Sequence, residues 1–277
     1  MVITRNRWPD LRMSLPRHKV PVVLVDNAST DGTPDQVRRH FPEVQLIELS
    51  RNHGAVARNI GVARVTTPFV AFADDDSWWA PSALNRAIEH LEQHNGLGLL
   101  AARVLVGNDK TEDPVCRLMS DSALGMTYGL PGPNVLGFVA CAAVARRSAF
   151  LAAGGFDDVI FFGGEEERLA LDLAALGWAI CYVDDVVAYH FPSAARDPAK
   201  RAALLARNRL LTLLLRRPWR VVAAELRATM RTGSIGRKAL RQAVPLVPKA
   251  LHNRRLLPPH VEAARVALHA VAQGGPA

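Results

Sequence analysis

The sequence predicts an α/β fold built on a mainly parallel sheet. Three observations carry this expectation. Short apolar runs rich in β-branched residues recur as far as His190, stretches of helical length separate them, and clusters of turn-forming and helix-capping residues follow them. Val2–Thr4 reads as a first short strand and Lys19–Val25 as a second, with room for only a short helix between. The turn formers of Asp26–Pro34 come next. Thr33 suits a helix cap and Pro34 a first helical turn, so a helix through about Arg39 is expected. Glu43–Leu49 reads as a strand, Ala55–Ala63 as a helix, Phe69–Ala73 as a strand, Pro81–Gln93 as a helix and Leu97–Val106 as a strand.

Residues 107–134 carry Gly, Pro and Asp throughout and read as loop. Val135–Arg146 is strand-like, and Ser148–Phe156 opens a short helix that Gly154 and Gly155 end. Arg168–Leu176 reads as a helix closed by Gly177, and Trp178–Val183 with Val186–His190 as the last strand region. Beyond Pro192 the pattern is helical, interrupted by Pro218, Pro245, Pro248, Pro258 and Pro259. A body over residues 1–192 and an extension over 193–277 follow.

A chain of 277 residues that is 49% hydrophobic can bury a sizeable core. No run approaches the ~18 apolar residues of a membrane span, and the first residues do not resemble a signal peptide, so a cytoplasmic protein is expected. Three scattered cysteines without CxxC spacing suggest buried thiols, not a disulfide framework or zinc site. Charge divides unevenly. Residues 1–192 hold 17 Lys and Arg against 23 Asp and Glu, whereas 193–277 hold 17 against 3. An acidic body joined to a basic, Leu-rich extension points to an anionic surface or partner for the extension.

Asp74, Asp75 and Asp76 close the apolar run Pro68–Ala73. Three adjacent anions repel one another, and a hard divalent cation such as Mg²⁺ or Mn²⁺ would neutralise them. Taken alone, the triplet reads equally well as a solvated acidic turn. It occurs, however, in an ordered set with Asp26-Asn27-Ala28-Ser29-Thr30-Asp31-Gly32, with Asn52-His53-Gly54 and Arg58-Asn59, and with Gly164-Glu165-Glu166 followed by Gly177-Trp178 and Tyr189-His190. Over about residues 2–192 this set resembles the family 2 inverting glycosyltransferases of the GT-A fold.

The resemblance implies a Rossmann-like nucleotide-sugar domain and transfer of a sugar from a nucleoside-diphosphate sugar, UDP- or dTDP-linked, to a hydroxyl acceptor. Thr4, Asp26 and Asn27 at strand ends would hold base and ribose, although a turn role for Asp26 and Asn27 is the simpler local reading. Arg5 stands where many relatives carry an aromatic residue. Arg58 would approach a phosphate, Asn59 a strand-end carboxylate, and Gly54 would let a ligand near the backbone. Asp76 would be the metal ligand, with Asp74 and Asp75 on ribose, sugar or metal-bound water. His190 matches a further metal position, and imidazole suits Mn²⁺ better than Mg²⁺. Glu166 takes the place of the general base, one methylene longer than the usual aspartate, and Glu167 reads simply as an acid at a helix start. Arg168 stands where relatives often have an acid, which makes the acceptor side unusual. Trp78 and Trp79 would either stack on a sugar or pack.

In the extension, Arg209, Arg216 and Arg220 recur beside Leu210, Leu211, Leu213, Leu214 and Leu215. Such a helix either lies on an anionic bilayer or packs its leucines on the body, and packing with partial membrane attraction is expected. Nothing resembles a nucleic-acid reading module. Two other functions share parts of this pattern. A sugar nucleotidyltransferase should carry a Gly-rich basic phosphate loop near its N-terminus, absent here, and a non-catalytic module of this fold would bind donor without turnover.

Overall fold

The computed structural model describes residues 1–192 and 198–273. Its strands are β1 (Val2–Thr4), β2 (Val23–Asp26), β3 (Gln45–Glu48), β4 (Phe69–Ala71), β5 (Ala73–Asp74), β6 (Ser77–Trp79), β7 (Leu97–Val106), β8 (Thr111–Glu112), β9 (Ala143–Arg146) and β10 (Ala179–His190). In the body the helices are α1 (Trp8–Ser14), α2 (Thr33–His40), α3 (Ala57–Arg64), α4 (Ala83–Gln93), α5 (Pro114–Ser120), α6 (Arg147–Ala152) and α7 (Glu165–Ala175). The extension adds α8 (Pro198–Arg216), α9 (Trp219–Arg231), α10 (Gly233–Ala243), α11 (Val247–His252) and α12 (Pro259–Gln273).

One sheet, in the order β3-β2-β1-β5, is entirely parallel. The second runs β4-β9-β7-β10-β6 with β8 added on β7, and there only the β7–β10 pairing is parallel. The expected mainly parallel sheet is thus two sheets, one parallel and one mixed. They meet at Phe72. The run read as one strand over Phe69–Ala73 pairs with β9 through Ala71 and with β1 from Ala73 onward. Between them, the Phe72 amide donates to the Ala143 carbonyl (2.9 Å), while that of Ala73 donates to the Met1 carbonyl (3.0 Å). The Phe72 ring is fully buried against Phe150 and Phe156, with centroids 5.4 and 6.0 Å away, and this packing pins the crossover.

Several boundaries differ from the sequence expectation for local reasons. Lys19–Val22 stays outside β2, since Pro21 has no amide to give a ladder. Residues 107–134 contain α5, whose start is marked by the Asp113 carboxylate accepting from the Val115 amide (2.9 Å) and by Pro114 in the first turn. Of Val135–Arg146 only the last four residues form a strand. The two runs read as a last strand region form one long strand, β10, from Ala179 to His190, with a register shift between Val183 and Val187 where Asp184 and Asp185 face outward. Cys116, Cys141 and Cys181 are buried free thiols, as expected.

The extension packs against the body. Leu210, Leu211, Leu213, Leu214 and Leu215 of α8 are all buried, several of them around Val159 and Ile160 of the body. Ion pairs link the same surfaces. Arg216 binds Asp172 through Nε (2.5 Å) and Nη2 (3.0 Å), Arg265 of α12 binds Glu167 of α7 (2.6 Å), and Lys249 pairs with Asp158. Glu167 is thereby an anchor for α12. The leucines of α8 take the packing alternative, and no helix among the described residues is long and apolar enough to cross a membrane.

Burying each leucine contributes roughly 1.5–3 kcal/mol, so residues 1–192 alone should lose a large share of their stability. A chain ended after Pro192 is expected to aggregate or to melt well below the full chain. A soluble fragment with an unchanged melting temperature by circular dichroism would show the body to be self-sufficient.

Candidate active site

The parallel sheet sets the C-terminal ends of β1, β2 and β5 side by side. Thr4 and Asp26 are buried there. The Thr4 hydroxyl donates to the Asp75 carboxylate (2.9 Å), and Asp26 accepts from the Ser29 amide (2.8 Å) through Oδ2. Asp26 Oδ1 is buried without a hydrogen-bond partner, an acceptor aimed where a polar ligand group would satisfy it. The loops after β1 and β2 interlock. The Asn6 amide donates to Ser29 Oγ (2.8 Å) and Asn6 Oδ1 accepts from the Thr30 amide (2.7 Å), with Asn6 and Ala28 both in the left-handed region.

Asn27 was expected at the base. Both ends of its amide are instead engaged by the neighbouring loop, Nδ2 donating to the Gly54 carbonyl (3.0 Å) and Oδ1 accepting from the His53 amide (2.7 Å). Gly54 likewise admits protein, not ligand. It adopts φ +59°, and a Cβ there would lie 2.2 Å from the Phe161 carbonyl oxygen. Asn59 pairs both ways with the Phe156 backbone (2.9 Å each), away from the strand-end carboxylates.

Arg58 joins the two halves of the site. Its side chain is 1% exposed, and it binds Asp74 Oδ1 at 2.6 Å and Glu165 Oε1 at 3.2 Å. Burial opposes its charge, but the carboxylates of Asp74, Glu165 and Glu166 more than offset this and raise its pKa above the ordinary value. The phosphate role expected of Arg58 gives way to this junction between β5 and the first turn of α7. Glu165 was missed in this role by sequence reasoning. The two residues are 107 positions apart, so no local signal joins them. Glu165 Oε2 is a further buried oxygen without a partner.

Glu166 follows on the first turn of α7 and is partly exposed. Its carboxyl pKa is pushed up to about 8, chiefly by burial and then by Glu165, with its own backbone amide and Arg58 opposing the rise. Asp75 is also pushed up to about 8, by burial and by Asp74 and Asp76 on either side, against the Thr4 hydrogen bond. Asp76 is nearly buried, and its Oδ1 lies 3.4 Å from His190 Nε2, because β6 pairs antiparallel with the end of β10. Among the described residues, no three His, Cys, Asp or Glu side chains are grouped so as to enclose a metal by themselves.

The remaining site expectations resolve as packing. Trp79 is buried, and Trp78 lies between the Phe191 ring (4.7 Å) and the Arg17 guanidinium (4.4 Å). Arg168 does not face an acceptor: it is buried, bound to Asp157 (3.2 Å), Asp172 (2.8 Å) and the Gly155 carbonyl (3.0 Å). A contribution that the sequence did not suggest comes from α8. Asn208, 1% exposed, donates from Nδ2 to the carbonyls of Phe162 (2.8 Å) and Gly163 (2.5 Å), directly before α7. The Phe161 carbonyl accepts from the Ala55 amide (2.5 Å), so the Phe161–Gly164 loop is held from both sides.

Parallel strand ends, with an aspartate turn tied to an acidic helix start through one buried arginine, define a GT-A glycosyltransferase. Solved structures carry the same fold. A mannosyltransferase from Pyrobaculum calidifontis, in complex with GDP-Man and Mn²⁺, aligns with a TM-score of 0.58 and 23% identity over 100% of this chain and 75% of its own. S. aureus TarS (1–349) with UDP-GlcNAc aligns at 0.58 and 17%, over 98% and 86%. The N-acetylglucosaminyl-diphospho-decaprenol L-rhamnosyltransferase of Mycobacterium tuberculosis is 27% identical across 85% of this chain and 86% of its own length. The profile of Glycosyl transferase family 2 matches residues 2–152, and the chain belongs to that family.

Removing the Arg58 cation would leave the Glu165 and Asp74 carboxylates facing one another. Arg58→Ala is expected to destabilise the fold by about 3–5 kcal/mol. Arg58→Lys should recover only part of this, since one ammonium cannot reproduce a two-pronged fork. Denaturant unfolding of the three proteins would check it, and equal midpoints would show the junction to be dispensable.

Proposed function

We propose that this glycosyltransferase moves a sugar from a UDP- or dTDP-linked donor to a hydroxyl acceptor by a single, inverting displacement with Glu166 as base. The observation that carries the reading is the Arg58 junction, which ties the aspartate turn to the start of α7. Thr4, Asp26, Asp74 and Asp75 line the strand ends where base, ribose and sugar would lie, and the unpartnered Asp26 Oδ1 is suited to a ribose hydroxyl. Asn27 and Arg58 act on the donor through the loop and the carboxylates they hold.

Asp76 and His190 would hold a divalent cation. Their donor atoms face each other at 3.4 Å, close to the roughly 3 Å between neighbouring ligands about 2.1 Å from one ion. A mixed oxygen and nitrogen pair favours Mn²⁺ over Mg²⁺, and donor phosphates suit the remaining positions. When bound, the cation supplies neutralisation of the departing nucleoside diphosphate. Glu166 then accepts the acceptor hydroxyl proton as the oxygen attacks the anomeric carbon opposite the diphosphate. The rhamnosyltransferase relative bears in its name a diphosphate-linked polyprenol sugar. By analogy we assign this chain an acceptor of that class, used on the cytoplasmic side of a membrane.

Only the ionised carboxylate serves as base, so kcat/KM for transfer should rise with pH toward about 8. Glu166→Gln should lower kcat by about 10²–10⁴ while donor binding persists. Near-normal transfer by that variant would remove Glu166 from the role. Stability gives a second readout. A folded pKa raised from 4.5 to about 8 means that the folded state holds the proton more tightly, so stability falls as pH rises between those values. Glu166→Gln should therefore raise the melting temperature most above pH 8 and least near pH 4.5.

Ligand binding raises the melting temperature with ligand excess over the dissociation constant. UDP or dTDP with Mn²⁺ should shift it upward, and EDTA or Asp76→Asn should abolish the metal-dependent part. A folded protein that shifts with no nucleotide would instead support a non-catalytic module.

A further inference from the structure

The arginines of the extension fall into two sets. Arg216 and Arg217 are buried on Asp172 and Glu262, Arg209 reaches Glu225, and Arg265 reaches Glu167. Arg220, Arg227 and Arg231, all on α9, are exposed and make no ion pair among the described residues. Glu225 is the sole acidic residue between Trp219 and Ala243, and Arg209 holds it. The outer face of α9 therefore carries cations without a counter-charge.

The same helix exposes an apolar stripe. Trp219, Ala223, Leu226 and Met230 follow one another at steps of four, three and four residues, which places them on one side of the helix. Trp219 is 58% exposed, Leu226 40% and Met230 53%, too much for residues that merely cap a core. Arg220, Arg227 and Arg231 repeat at seven and four and form a row beside the stripe. The inward side, by contrast, is filled by Val222, Glu225 and Thr229. The Arg254 guanidinium lies 4.2 Å over the Trp219 ring, adding a cation at the start of the stripe.

We infer that the outer face of α9 docks on an anionic lipid bilayer, with Leu226 and Met230 entering the interface and the three arginines among the headgroups. A helix with an apolar stripe, an adjacent row of arginines and no free acid has the make-up of one that lies in a membrane surface. Nucleic acid would use the cations but gain little from Leu226 and Met230, which a bilayer interface would take up. This site differs from the one expected from the sequence on α8, where Leu210, Leu211, Leu213, Leu214, Leu215 and Arg216 are buried. It stands apart from the assignment of Glu166, because none of its residues belongs to the candidate active site.

The test is flotation of the full chain with vesicles of phosphatidylglycerol and phosphatidylcholine in equal parts, and with phosphatidylcholine alone. Binding is expected to the first and not the second, and to fall as salt shortens the screening length. R220Q/R227Q/R231Q should lower partitioning about a hundredfold, given the surface attraction of each arginine, and L226Q/M230Q should weaken it even at low salt. All these side chains are exposed, so melting temperatures should hold, and the salt dependence of the unaltered protein tests the charge contribution without any variant. Absence of wild-type binding to the anionic vesicles, equal binding by the variants, or retention by duplex DNA but not by vesicles would each overturn the inference.

Discussion

The site depends on one buried cation. A guanidinium taken out of water is tolerable only when carboxylates meet it at hydrogen-bond distance, and Arg58 has two of them from opposite ends of the body. α3 supplies the arginine, β5 one acid and α7 the other, so the aspartate turn and the acidic helix start cannot move independently. The pair need not add much to stability, because desolvation opposes it. It does set position, holding the aspartate turn and the first turn of α7 at a fixed distance.

Around this junction the backbone is arranged by contacts that have little to do with charge. The crossover at Phe72 passes the chain from the mixed sheet to the parallel one, and the aspartates emerge where the sheets meet. The turn then continues into β6, whose antiparallel pairing with β10 sets His190 against Asp76. On the opposite side the Phe161 carbonyl fills the space that Gly54 leaves, and Asn208 of α8 secures the next two carbonyls. The extension is thus part of the scaffold that aims α7. Its outer helix remains available for a different task.

Much of this was legible in the residues. The alternation of strands and helices, the turn clusters at strand ends and the helix closed by Gly177 all follow from local propensity and periodicity, and they appear near their expected places. α5, which was read as loop, had a readable signal at its start in Asp113-Pro114. Other assignments failed because they depend on distant partners. Asn27, Gly54 and Asn59 looked like ligand contacts, yet each completes a hydrogen bond or close packing with backbone from another segment. Arg168, which looked exposed to an acceptor, is neutralised by Asp157 and by Asp172, one helical turn along.

By itself the sequence determined the α/β class, the order of the elements and the presence of an acidic strand end before an acidic helix, because periodicity, capping and turn chemistry act over a few residues. The tertiary structure decided which acids share a cation, which arginines are buried and which face outward, and which helix of the extension presents an unpaired basic surface. Those outcomes turn on burial and on ion pairs between segments up to about a hundred residues apart, such as Arg58 with Glu165 and Arg265 with Glu167. Desolvation is set by everything that surrounds a side chain, and no short window of sequence contains that information.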